Sequence, residues 1–106
     1  MNQLVATVAL FFSSLGAAQD VTVVQINAKW NRDNTVEGLR DLENCEYVFG
    51  WLEDQPYDIQ RNVVSLPVIV VYKDNVPKQQ YVGDISLRLS VTFEEIQTLV
   101  NSLKEE

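Results

Sequence analysis

The stretch Ser65-Leu66-Pro67-Val68-Ile69-Val70-Val71-Tyr72 (SLPVIVVY) holds the strongest strand signal in the chain. Its last five residues are apolar and mostly β-branched, which suits a pleated, buried backbone. Val63-Val64 lead into it, and Lys73-Asp74-Asn75 follow with turn chemistry. Lys78–Val82 (KQQYV) then reads as a hairpin partner ended by Gly83.

Working outward, Val21–Ile26 (VTVVQI) is a second β-branched run and is predicted to be a strand. Ala28–Asn34 (AKWNRDN) is polar apart from its Ala and Trp and reads as a loop. Asn34 or Thr35 is placed to cap a helix running to about Leu42, with Val36 and Leu39 on its inner face. Glu46–Leu52 (EYVFGWL) is apolar and aromatic on both faces, which predicts a buried, central strand with Trp51 in the core. Asp54–Asn62 reads as a short helix with Asp54 as its cap and Pro56 in its first turn. Near the end, Thr92 and Glu95 form a capping box. Phe93, Ile96, Val100 and Leu103 follow on one helical side. The predicted order is β, α, β, α, β-hairpin, α, without internal repeats.

A chain of 106 residues holds one domain. Fifteen acidic residues against eight basic ones give a net charge of −7, and the basic residues form no stripe. That balance argues against a nucleic-acid partner, whose phosphates need Lys and Arg. There is no histidine and one cysteine, Cys45. A His-based triad, the common Cys/His zinc sites and an intramolecular disulfide are all excluded. The carboxylates Glu43, Glu46, Glu53, Asp54 and Asp58 lack EF-hand spacing and read as a solvated acidic rim.

Residues 1–18 are uncharged in their side chains, with an apolar run at Leu4–Phe12 and small residues at Gly16 and Ala18. The pattern predicts a secretory signal peptide cut after Ala18, although its start carries no Lys or Arg. On that reading the protein is periplasmic or secreted, with no stable membrane span after cleavage. The alternative is an uncleaved apolar segment packed on the domain, in a cytoplasmic protein or a subunit of an assembly.

The element order over about residues 20–104, with the passage Ser65–Tyr72, resembles the thioredoxin-like superfamily. Thioredoxins have a similar small residue, apolar residue and cis-proline before a strand, then a tight hairpin. Val24-Gln25-Ile26-Asn27-Ala28-Lys29-Trp30 is similar to their first central strand and the tryptophan before their redox motif. The resemblance implies an α/β fold with a central mixed sheet of about four strands flanked by helices, and a cis Leu66–Pro67 bond.

The departures bear on function. Where Cys-x-x-Cys follows the tryptophan in thioredoxins, this chain has Asn31-Arg32-Asp33-Asn34. A carboxamide forms no thiolate and cannot attack a disulfide. Gln25 stands where many thioredoxins place a buried carboxylate. Only 16 residues separate Trp30 from Tyr47, so the intervening helix is shortened. Such small, cysteine-free members occur in bacterial and phage genomes, and the chain resembles that group.

The implied function is a non-catalytic protein-binding or assembly module without a cofactor. Its partner surface would comprise Trp30, Asn31, Arg32, Asp33, Asn34, Leu66 and Pro67. The cis bond would turn the Leu66 backbone outward beside Trp30, where an extended peptide can pair with it. Alternatives are a structural subunit of a phage particle or envelope complex, or a thiol protein using Cys45 alone. Cys45 reads more simply as a semi-buried structural residue, since Glu43 and Glu46 beside it would raise its pKa.

Overall fold

A computed structural model describes residues 20–106. The N-terminal stretch 1–18, read as a signal peptide or apolar segment, lies outside the described residues. Four strands, β1 (Val21–Asn27), β2 (Glu46–Trp51), β3 (Val68–Lys73) and β4 (Val76–Val82), form one sheet in the order β2-β1-β3-β4. β1 and β2 run parallel, with Val24 beside Val48. β3 runs antiparallel to β1, and β4 antiparallel to β3. Helix α1 (Tyr57–Asn62) and helix α2 (Phe93–Lys104) cover opposite faces. This is the mixed four-strand α/β architecture expected from the sequence.

Strand periodicity of two divides the core. Val24, Ile26, Val68, Val70 and Tyr72 pack on one face against Ile59 of α1, with Ala28 and Leu66. Val21, Val23, Ile69 and Val71 pack on the other against Ile96, Val100 and Leu103 of α2, with Leu39 and Leu42. Burying each such side chain stabilises the fold by about 1.5–3 kcal/mol. All six positions of β3 are buried, as its unbroken apolar run requires. The capping box of α2 forms: Glu95 N–H donates to Thr92 Oγ1 at 3.1 Å, and Thr92 N–H to Glu95 Oε1 at 2.9 Å. The β3–β4 turn is made by Asp74 and Asn75, both left-handed at φ 52° and 67°. Asp and Asn tolerate that conformation in tight hairpins, and the pairing extends back to Val76, two residues before the predicted start.

Three local expectations are corrected. No α-helix spans Asn34–Leu42; two short 3-10 turns, Lys29–Asn34 and Leu39–Asp41, take its place. The cause is Gln25, fully buried on β1. Its Oε1 accepts from Val36 N–H at 2.9 Å, and its Nε2 donates to the Val36 carbonyl at 3.1 Å and the Tyr47 hydroxyl at 2.8 Å. The side-chain amide thus engages the Val36 carbonyl, which a helix beginning at Asn34 or Thr35 would offer to its next turn. Gly38, at φ +85°, then turns the chain out of right-handed geometry.

The second correction concerns β2, which is an edge strand rather than a central one, with all six residues half-buried. Trp51 is accordingly half-buried and outside both core clusters. The third concerns Asp54, which ends a 3-10 turn (Leu52–Asp54) instead of capping α1. Its carboxylate pairs with Lys29 Nζ at 3.3 Å, while Glu53 accepts the Lys29 N–H at 3.0 Å. Both acids therefore face the Trp30 turn. Among the described residues no helix is long and apolar enough to cross a membrane.

Candidate functional site at the Trp30 turn

The turn after β1 is held by carboxamides. Asn27, fully buried at the end of the strand, donates through Nδ2 to the Asn31 carbonyl at 2.9 Å and to Thr35 Oγ1 at 2.8 Å. Asn31 Nδ2 returns a bond to Asn27 Oδ1 at 3.0 Å and reaches the Leu87 carbonyl at 3.1 Å. Asn34 Nδ2 donates to Asn31 Oδ1 at 2.9 Å. The two residues read from the sequence as standing in place of the motif's cysteines are thus joined side chain to side chain. Each buried polar atom in this set has a partner, which removes the desolvation cost of an orphaned group, about 1–3 kcal/mol.

This network sorts the residues read from the sequence as a partner surface. Asn31 is 6% exposed and its amide is consumed internally. It shapes the turn from beneath. Asn34 is half-buried, while Arg32 and Asp33 are exposed. Arg32 Nε donates to the Lys29 carbonyl at 3.2 Å. Among the described residues no ion pair joins Arg32 to Asp33. Trp30 stands out at 66% exposure, on a backbone fixed on both sides.

The Leu66–Pro67 bond is cis, and both residues are buried. Gly83 lies against them: a Cβ there would overlap the Leu66 carbonyl, and Gly83 N–H donates to the Pro67 carbonyl at 2.8 Å. The Leu66 carbonyl therefore lies against Gly83. Ser65 Oγ donates to the Gly83 carbonyl and closes the contact. Sequence reading missed Asn27, Thr35 and the loop at Leu87. Asn27, an amide at the end of a predicted strand and four residues before Asn31, was the available signal.

Strand directions bring other exposed residues to this end. Val68 and Val82 sit opposite each other beside Ile26, near the end of β1. Val64 precedes that point and Ile85 follows it, and Tyr57 opens α1 just after β2 ends. Trp30, Tyr57, Val64, Val82 and Ile85 are all large, apolar and exposed; of that kind only Val76 lies at the other end of the described structure. Asp84 orders the Ile85 loop by accepting from Ser86 N–H at 2.8 Å, and its Ser86 hydrogen bonds hold its carboxyl below the usual range.

Cys45 lies apart, half-buried at the entrance to β2, and burial pushes its thiol up to about 11. The cause is desolvation, which disfavours the thiolate, rather than the neighbouring acids invoked from the sequence. Among the described residues no group of His, Cys, Asp and Glu could hold a metal ion.

The fold matches solved thioredoxins. A thioredoxin variant from Halobacterium salinarum superposes with a TM-score of 0.65 at 17% identity, covering 88% of this chain and 82% of its own. Oxidised thioredoxin O2 from Arabidopsis thaliana gives 0.54 at 19% identity, covering 91% and 88%. A thioredoxin variant from Entamoeba histolytica gives 0.55 at 18%, covering 87% and 90%. No protein-family model matches the sequence, and neither does any curated protein. The chain has a thioredoxin-like fold. It carries that fold with a single cysteine and therefore without a Cys-x-x-Cys pair.

Proposed function

We propose that this chain is a non-catalytic thioredoxin-like binding module that docks a protein partner through the Trp30 end of its sheet. The observation that supports this most is the gathering of Trp30, Tyr57, Val64, Val82 and Ile85 at one end of the molecule. Scattered exposed apolar residues need no explanation, but a gathered set with an aromatic anchor is the usual mark of an interface. The carboxamide network fixes the backbone beneath Trp30, so little conformational freedom is lost on docking. Trp30, Arg32 and Asp33 supply the exposed contacts, while Asn31 and Asn34 hold the turn beneath them and Leu66 and Pro67 lie buried against Gly83.

The test is affinity capture of the native partner with wild type and Trp30→Ala, alongside a disulfide-reduction assay. Trp30→Ala is expected to weaken capture by about tenfold or more, the effect of losing an interface anchor, with no turnover by either protein. Undiminished capture by both Trp30→Ala and Ile85→Ala would place the interface elsewhere.

A further inference from the structure

We propose that Asn31 is a positioning residue of the docking surface, whose buried amide fixes the Ile85 loop against the Trp30 turn so that both apolar side chains meet a partner as one preset pair. This role rests on the docking surface proposed above and concerns how its anchors are set. The loop Asp84–Arg88 is closed on itself. Asp84 N–H donates to the Arg88 carbonyl at 2.9 Å, and Leu87 N–H to the Asp84 carbonyl at 2.9 Å. The Asp84 carboxylate accepts from Ser86 N–H at 2.8 Å, from the Ser86 hydroxyl, and from Arg88 N–H at 3.4 Å. An aspartate that binds its own following backbone is a strong turn former. Ile85 sits between these bonds, fully exposed and outside both core clusters.

The loop's own bonds set its shape but not its place against the Trp30 turn. Among the described residues, the hydrogen bond that reaches Asp84–Arg88 from outside comes from Asn31 Nδ2, to the Leu87 carbonyl at 3.1 Å. Leu87 is also where the loop is strained. Its φ of +64° is left-handed, which the Cβ of a leucine disfavours. The other described non-glycine residues with positive φ are Asn44, Asp74 and Asn75, types that tolerate it. Such strain persists only where the surroundings over-determine the backbone, and it gathers at ligand contacts. At Leu87 both backbone groups are held, the N–H by Asp84 and the carbonyl by Asn31.

Asn31 suits this role by place and by chemistry. It follows Trp30 directly and is 6% exposed. Its Nδ2 spends one hydrogen on Leu87 and the other on Asn27 Oδ1 at 3.0 Å, while its Oδ1 accepts from Asn34 Nδ2 at 2.9 Å. The amide is therefore oriented from three sides, and one side chain ties the turn that carries Trp30 to the loop that carries Ile85. A carboxylate in its place would face the oxygens of Asn27 and Leu87 and repel both. With the two anchors held in register beforehand, docking orders neither loop, and the cost of fixing them is not charged to the complex.

The experiment reads loop position and docking separately. Asn31→Asp keeps an oxygen for Asn34 but, when ionised, offers no donor to Leu87 or Asn27. In the isotopically labelled full chain of this variant, the amide signals of Trp30, Ile85 and Leu87 are expected to leave their wild-type positions together. They should return together as acid protonates the new carboxyl and restores a donor, with the wild type titrated alongside to supply the contribution of Asp84. Affinity is then measured at neutral pH for the partner isolated by the capture above. Ile85→Ala and Asn31→Asp should each weaken it about tenfold, and the two together by clearly less than the product, since Ile85 is already displaced in the Asn31→Asp chain. The proposal is overturned by signals that stay in place, by Trp30 and Ile85 signals that move independently, by acid that restores nothing, or by losses that multiply in full. Coupled signals with an affinity indifferent to both Trp30→Ala and Ile85→Ala would instead overturn the docking reading and leave the Asn31 tie standing.

Discussion

Among the described residues the sheet has two edges with opposite chemistry. β4 ends one side with Val-Pro-Lys-Gln-Gln-Tyr-Val, and its register with β3 slips between Val71 and Tyr72. Pro77 lacks a donor, Lys78 stays in water, and the irregularity bends the strand, so this edge resists pairing. β2 ends the other side with three aromatic residues and no such device. Several β4 residues are exposed, yet every β2 residue is half-buried, because the Thr35–Leu42 segment lies over one of its faces. Solvation protects one edge through composition. Protection of the other depends on what lies against it.

The largest effect should come from the β4 side. Gly83→Ala would drive a methyl into the Leu66 carbonyl, and backbone cannot yield as a flexible side chain can. A loss of about 3 kcal/mol or more in chemical denaturation is expected; a loss below about 1 kcal/mol would mean that the backbone at the end of β4 yields to the methyl. Next, Gln25→Ala removes three hydrogen bonds and orphans Val36 beneath the segment that flanks β2. It should cost about 2–3 kcal/mol and speed amide exchange in residues 35–42 while β4 stays protected. Uniform acceleration across both edges would erase the contrast. The smallest effect concerns Cys45 at the entrance to β2. With its thiol pushed up to about 11, alkylation at neutral pH should run about a hundredfold slower than for an ordinary exposed thiol. Folding favours the neutral thiol, so its contribution to stability is complete below the ordinary thiol value of 9.0 and is lost as pH rises towards about 11. Fast alkylation at neutral pH would mean that the entrance to β2 opens readily.

Where one local signal dominated, the sequence was legible. Val68–Tyr72, the Asp74-Asn75 turn and the Thr92/Glu95 box each specify their element through neighbours in the chain, and each appears as read. The helix expected over Asn34–Leu42 failed because its competitor, Gln25, is distant in sequence and acts only once β1 is in place. β2 was misplaced because apolar content on both faces marks burial, whether a strand or a folded-back loop supplies the cover. At the candidate site, Trp30 and the two amides that follow it could be picked out directly. The bond between those amides and the reach of Asn31 to Leu87 could not, since they depend on the closed loop.

The Asn31–Asn34 bond has a consequence for where such a protein can work. A turn closed by sulfur stiffens or relaxes with the electron supply of its surroundings. A turn closed by two amides is blind to glutathione, oxygen and reductant alike, so this closure does not change with the redox state of its surroundings.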